Sequence, residues 1–274
     1  MTDYPTPFAW IPEEEYHAAS RRGEFISSHL LADFRRSPVL YRKTVDGLIP
    51  HASSDAFAFG TAAHKLILEG REAFDREYLV AEGPVNPKTG EAFGPNTKAY
   101  KEWAAAQAPR IVLSPRDSGR LNQMLRSVQE HKDATRLLGG GFPEGSVRTA
   151  WAGLPCQIRV DWFNPTEGVV DLKTCEDIDR FELDAKRFGY GNQMAFYRSV
   201  LAVAASDKPE DIPVHIVAVE KSEPFRCGVW QVDSLWLDSC ARQNEIAMGR
   251  LKACRESGEW PTGYESLRIL SDLH

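Results

Sequence analysis

The sequence predicts an α/β or α+β sandwich built on one central sheet, and three features carry that expectation. Helical patterning dominates the first half, up to the break at Gly139-Gly140-Gly141. Beyond the break the period shortens to that of strands, in three runs joined by turn-forming residues. A helical pattern, two more strand-like runs and a closing helical pattern complete the chain. Elements in that order pack as helices layered on one sheet.

Taken in order, Phe25 to Tyr41 reads as a short helix opened by Ser27 or Ser28 and stopped near Pro38. Phe57 to Glu69 sets Phe59, Ala63, Leu66 and Ile67 at helical spacing, with Gly70 as its stop. Glu82 to Pro95, rich in Gly, Pro, Asn and Lys, reads as a loop. Thr97 to Gln107 and Arg116 to Leu138 read as helices. Val147 to Trp151, Gln157 to Phe163 and Gly168 to Thr174 read as strands, with turns at Gly153-Leu154-Pro155 and Asn164-Pro165-Thr166-Glu167. Phe188 to Ala204 is a helix; Val214 to Glu220 and Phe225 to Val232 form a hairpin around Ser222-Glu223-Pro224; Leu235 to Glu256 closes the chain as a helix. No internal repeat or low-complexity linker interrupts this order, so the expected division is an N-terminal segment, 1–24, and a single domain, 25–274.

Composition narrows the function. At 274 residues and 42% hydrophobic, the chain can bury one large core. No run approaches the roughly 20 apolar residues that cross a bilayer. Met1 to Trp10 lacks the basic start and apolar stretch of a secretory signal, so a cytosolic protein is expected. The cysteines are Cys156, Cys175, Cys227, Cys240 and Cys254, and no two form a C-x-x-C pair. That spacing argues against a zinc ribbon, a disulfide framework and a compact iron–sulfur ligand set. The net charge of −6 votes against a nucleic-acid binder that works by bulk attraction. Bound metal ions or a local Lys/Arg groove would reverse the sign where it matters.

The chemistry concentrates in the second and third strands of the meander. Side chains alternate faces along a strand, so Asp171 and Lys173 project together while Val170 and Leu172 turn to the core. On the preceding strand Ile158, Val160 and Trp162 are expected on one face, Arg159 and Asp161 on the other. If the two strands pair, two carboxylates and an ammonium converge. Carboxylates hold hard, oxygen-seeking Mg²⁺, which activates water and stabilises charge on phosphate oxygens, while a lysine polarises the attacking water. A D-x-K triplet alone is more often a surface ion pair; an Asp on the neighbouring strand is what sharpens the signal.

Four segments together resemble a known family. They are Gly60 to His64 (GTAAH), Cys156 to Asp161 (CQIRVD), Val169 to Thr174 (VVDLKT) and Gln193 to Tyr197 (QMAFY). In order and placement they resemble the RecB-type branch of the PD-(D/E)XK nucleases. The likeness extends to the RecE-like (exodeoxyribonuclease VIII-type) exonucleases of phages and prophages. Weaker signals for it are Ser27-Ser28 before Pro38, Lys98-Ala99-Tyr100, Glu144 and Trp260-Pro261, and it covers about Phe25 to Tyr264. The resemblance implies a restriction-endonuclease-like α/β core with a central mixed sheet. It implies Asp161, Asp171 and the Leu172 carbonyl as metal ligands and Lys173 as the catalytic ammonium. His64 would be a further ligand through a neutral imidazole, which suits Mn²⁺ as well as Mg²⁺. Glu144 is either a ligand or a plain loop carboxylate. Gln193 and Tyr197, one turn apart on a helix, would touch the DNA backbone or orient Lys173. The chain lacks the four-cysteine spacing of the iron–sulfur relatives, which favours the cluster-free, RecE-like branch.

By the same resemblance the substrate is linear double-stranded DNA, digested from a 5′ end to leave 5′-phosphate products. The remaining 3′ overhang would pass to a RecT-like annealing partner, and a ring-shaped homo-oligomer would enclose the duplex. Two other readings stand beside this one. A structure-specific endonuclease would use the same site and would cut closed circular DNA. A catalytically silent DNA-binding or assembly protein would leave end-labelled duplex untouched.

Overall fold

The computed structural model describes residues 4–49 and 55–269. Residues 1–3 and 270–274, the outer ends of the expected segment and domain, and residues 50–54 lie outside the described residues. The chain forms α1 (Glu13–Arg21), α2 (Ser28–Arg36), α3 (Pro38–Val45) and α4 (Asp55–His64), the last continued by a π-helical turn, Lys65–Glu69. Next come α5 (Arg71–Glu77), β1 (Tyr78–Val80), α6 (Lys98–Ala105), β2 (Ile111–Leu113), α7 (Pro115–Glu130) and α8 (Lys132–Leu137). The central run is β3 (Phe142–Trp151), β4 (Leu154–Asn164), β5 (Gly168–Cys175), α9 (Phe181–Arg187) and α10 (Tyr190–Ala205). It is followed by β6 (Val214–Glu220), β7 (Cys227–Gln231) and α11 (Ser234–Ser257).

The five-stranded sheet has the order β3-β4-β5-β6-β7, with β5 and β6 parallel and the other neighbours antiparallel. A parallel neighbour needs a crossover, and α10 supplies it. All seven residues of β6 are buried, as expected of a strand covered on both faces. One face carries Val147, Ile158, Val160, Val169, Val214, Ile216 and Ala218 against α2, α10 and α11. The other carries Val170, Leu172, Val217 and Val219 against Phe59, Leu66, Leu121, Met124 and Leu137. The result is a three-layer α/β fold with the sheet in the middle. Among the described residues no helix is long and apolar enough to cross a membrane.

Several local expectations change, each for a physical reason. The helix expected over Phe25 to Tyr41 is two helices. Ser37 is extended (φ −167°, ψ 125°), and Pro38 then starts α3 instead of ending α2, because the first helical position needs no N–H. The helix expected over Arg116 to Leu138 breaks at His131 (φ −83°, ψ 111°), whose Nδ1 accepts from the Ala134 N–H at 3.3 Å and restarts the helix as a cap. Residues before Phe25 join the fold: Phe8, Ile11 and Tyr16 are buried, and Ala9 pairs with Ser146 on β3.

The consequential change is in the pleat of β3 and β4. Pro143 pairs with Trp162 and Gly145 with Val160, so Glu144 stands across from Asp161. Glu144 has φ 58°, a backbone conformation that side chains other than glycine adopt at a cost. The pleat inverts there. Ile158 and Val160 lie in one core, Trp162 packs against the other, and Phe163 returns to the first. The expectation that Ile158, Val160 and Trp162 share a face is therefore corrected.

Candidate active site

The inversion leaves a gap in the sheet. The β4–β5 ladder runs only over Asn164–Gly168, Phe163–Val169 and Trp162–Val170. One step further along lie Asp161 and Asp171, where the strands have parted. Asp161 Oδ2 takes over the lost ladder bond by accepting from the Leu172 backbone N–H at 2.8 Å. That fixes the carboxylate in the plane of the sheet, within reach of groups on both faces.

Asp171 is 1% exposed, and its Oδ1 is buried with no hydrogen-bond partner. Lys173 Nζ lies 2.5 Å from Asp171 Oδ2, a close charge-assisted contact. A buried carboxylate left incompletely satisfied favours a proton or a further cation. Accordingly burial raises the Asp171 pKa to about 6, with Lys173 pulling it down and Asp161 pushing it up. Burial also raises Asp161, against Lys173 and the Leu172 N–H. For Lys173 burial alone would lower the pKa; the charges of Asp171 and Asp161 outweigh it and raise it.

His64 ends α4, and its Nδ1 lies 3.6 Å from Asp161 Oδ2. Gly60, one turn earlier, places that helix on β5: a Cβ there would lie 3.7 Å from Thr174 Oγ1. Burial, then Lys173, lower the His64 pKa to about 4, so the imidazole is neutral near pH 7. Glu144 is close by but otherwise engaged, since its Oε2 accepts from Arg159 Nε. Burial raises its pKa to about 7, with Arg159 opposing and Asp161 reinforcing the rise. From the opposite face, α10 contributes Gln193 and Tyr197, and Gln193 Nε2 donates to Tyr197 Oη at 3.1 Å. Burial raises the Tyr197 pKa, with Tyr16, Asp171 and Asp161 adding to the rise. The Leu172 side chain is buried in the second core, so only its backbone faces the site.

The structure thus collects His64, Asp161, Asp171, Lys173 and the Leu172 backbone. It lays Gln193 and Tyr197 beneath them and holds Glu144 alongside through Arg159. Three neighbours were given no role from sequence. The Tyr190 ring centroid lies 4.8 Å from Lys173 Nζ. Tyr190, Gln193 and Tyr197 fall at i, i+3 and i+7, so helical spacing would have found it. Arg159 was visible as the residue two before Asp161, and its Nη1 is buried with no hydrogen-bond partner. His29, on α2, has its pKa lowered by burial and then by Lys173, against Asp171. No local pattern marks His29, because it reaches the site from far along the chain.

The donor set fits a divalent cation of the oxygen-seeking kind. Among the described residues no three His, Cys, Asp or Glu side chains enclose a common point. Two carboxylates and a main-chain carbonyl, with water at the remaining positions, are what Mg²⁺ takes. The buried, unpartnered Asp171 Oδ1 is the observation that supports the fit.

A mixed five-stranded sheet between helix layers, with two carboxylates and a lysine at its parted strands, defines an α/β protein of the PD-(D/E)XK class. Residues 27–270 match the model of the PDDEXK-like domain of unknown function (DUF3799), and the chain belongs to that family. The fold is similar to the crystal structure of a presumed exonuclease from Eubacterium rectale, with a TM-score of 0.67 and 15% sequence identity over 96% of each chain. No curated protein matches the sequence.

Proposed function

We propose that this protein is a divalent-metal-dependent deoxyribonuclease acting on the ends of linear duplex DNA. The observation that carries the reading is the pair Asp161 and Asp171 at the parted strands, the second with its Oδ1 unpartnered and its Oδ2 on the Lys173 ammonium. Asp161, Asp171 and the Leu172 carbonyl would hold the ion, with His64 the adjacent neutral ligand and Glu144 a reserve carboxylate. When bound, Mg²⁺ or Mn²⁺ supplies positive charge at the phosphate and acidifies a water. Lys173 orients the attacking water and neutralises charge growing on the phosphate oxygens. Asp171 holds Lys173 in place. Gln193 and Tyr197 brace the carboxylates from below and meet the DNA backbone.

The finer reading is exonucleolytic, 5′ to 3′, for recombination by strand annealing with a RecT-like partner, from a ring-shaped homo-oligomer. The likeness to RecE-type motifs supports it. The test is digestion of linear duplex labelled at one 5′ end, with Mg²⁺ and with chelator, beside closed circular DNA. Mg²⁺-dependent release of label as mononucleotide, with circles intact, is expected. Cleavage of circles would replace the end-specific reading with an endonuclease. No cleavage of either would remove the nuclease reading.

A further inference from the structure

A chain of aromatic rings leads from Lys173 to the surface. Tyr190 stands 4.8 Å from Lys173 Nζ, and the Phe188 ring centroid lies 6.0 Å from that of Tyr190. Below them Phe181 packs at 6.1 Å from Tyr190 and 4.6 Å from Trp230, which fixes the base of the series. Phe188, the outermost ring, is 60% exposed, and Leu183 on the same short helix is 62% exposed. Single exposed apolar residues are ordinary. An exposed aromatic ring held beside a charged site, on a fixed backbone, is more specific.

The backbone shows how the ring is displayed. Phe188 caps α9, its N–H donating to the Asp184 carbonyl at 2.8 Å. Gly189 follows with φ 72°, the left-handed conformation that glycine adopts freely. Across that turn the two rings stay in contact, Tyr190 against Lys173 and Phe188 at the surface. Arg187 lies with its guanidinium 5.6 Å from the centre of the Phe188 ring, which puts a positive charge beside the exposed face. A flat ring next to a guanidinium suits a ligand that is both flat and anionic, and a nucleotide is both.

We infer that Phe188 is a stacking subsite for an unpaired nucleobase, one or two nucleotides from the phosphate bound at Asp161, Asp171 and Lys173, with Arg187 on the flanking phosphate. The choice of ligand rests on the nuclease reading. The subsite selects ends whose terminal bases are open, since a base still paired within a duplex offers no free face to the ring.

The test uses the full chain with Ca²⁺ in place of Mg²⁺, and duplexes with short unpaired ends carrying 2-aminopurine at successive positions. Wild type is expected to quench one position most strongly. Phe188→Ala should lose that quench and bind the frayed ends about 10-fold more weakly. Phe188→Trp should keep both. Quench and affinity unchanged in Phe188→Ala, or no quench in wild type, would overturn the subsite. So would equal losses in the Ala and Trp variants accompanied by dissociation of an oligomer, which would make Phe188 a contact between copies. Cleavage measured in parallel with Mg²⁺ separates the two readings. Cleavage without a Phe188-dependent quench removes the subsite and keeps the nuclease; quench through Phe188 without cleavage does the reverse.

Discussion

Asp171→Asn offers a test of the site that needs no substrate. Burial raises the Asp171 pKa from 3.8 to about 6 in the folded chain. The folded state then binds the proton more tightly than the unfolded state between those two values. Stability therefore falls as pH rises through that window, and the cost is complete above about pH 6. At 1.36 kcal/mol for each pH unit the cost is about 3 kcal/mol, with roughly half incurred by pH 5. Asparagine has nearly the same shape and cannot ionise. In urea denaturation with chelator, the stability of the Asn variant relative to wild type should rise between pH 5 and pH 7.5 by roughly half of that cost. Any pH-independent effect of the amide cancels in that comparison. Adding Mg²⁺ at pH 7.5 should then stabilise wild type and leave the variant unmoved, because a ligand that binds only the folded site stabilises by mass action. A flat difference across the pH range, or equal stabilisation of both proteins by Mg²⁺, would refute the placement of a strained carboxylate at a cation site.

Three further outcomes are expected. Lys173→Ala should lower cleavage of linear duplex by about 100-fold or more while the protein still melts cooperatively, since it removes a cation aimed at developing charge. Gly191→Ala should destabilise by about 1–3 kcal/mol in urea titrations. Its Cβ would fall 2.6 Å from Trp236 Cε2 and Cζ2 and 3.0 Å from Cys240 Sγ, wedging α10 from α11. Glu220→Gln should cost about 1–3 kcal/mol at pH 7. Glu220 accepts from the Arg226 guanidinium, the chief cause of a pKa held down to about 2, and from the Ile178 and Arg226 backbone N–H groups at 3.0 Å. Its carboxylate stabilises above its ordinary pKa of 4.5 and ceases to as pH falls toward 2, so the variant's deficit should shrink between those values.

What was legible in sequence is placement that follows from one element's period. Asp171 and Lys173 share a face by alternation on β5, and Gln193 and Tyr197 share a face one turn apart on α10; His64 was singled out by the resemblance alone, and the structure sets it beside Asp161. The alternation of Val170 and Leu172 into the opposite core is likewise as expected. What period alone does not reveal is a change of period. The inversion at Glu144 and Asp161 reverses the face of Trp162, and nothing in the string Arg159-Val160-Asp161-Trp162 announces it, because Val and Trp are apolar on either face. Helix breaks were missed for a related reason. Pro38 and His131 are each compatible with a stop or a start, and only the neighbouring backbone decides which. Tyr4, Phe8 and Tyr16 escaped because their partners lie on β3 and β4, far along the chain. Tyr16 donates its O–H to the Gln157 carbonyl, and Gln157 Nε2 returns a bond to the Tyr16 carbonyl at 2.7 Å.

The proposed polyanionic substrate would be compatible with the acidic total charge if the acids of the site were held by positive partners. The acids of the site are buried or bonded: Asp161 by the Leu172 N–H, Asp171 by Lys173, Glu144 by Arg159. The raised pKa values of Asp171 and Glu144, about 6 and about 7, show how little negative charge the fold tolerates there without a cation. A divalent ion would reverse the sign of the site at the point where a phosphate arrives. Lys173 and Arg159 stand among these acids, each paired to a carboxylate. On this view binding depends on the metal far more than on net charge. Affinity for duplex ends should collapse with chelator at constant ionic strength, in a filter-binding or anisotropy measurement with the cleavage-impaired Lys173→Ala variant. An affinity indifferent to chelator would mean that the acids are neutralised by the protein alone, and that the two carboxylates serve packing instead of phosphate chemistry.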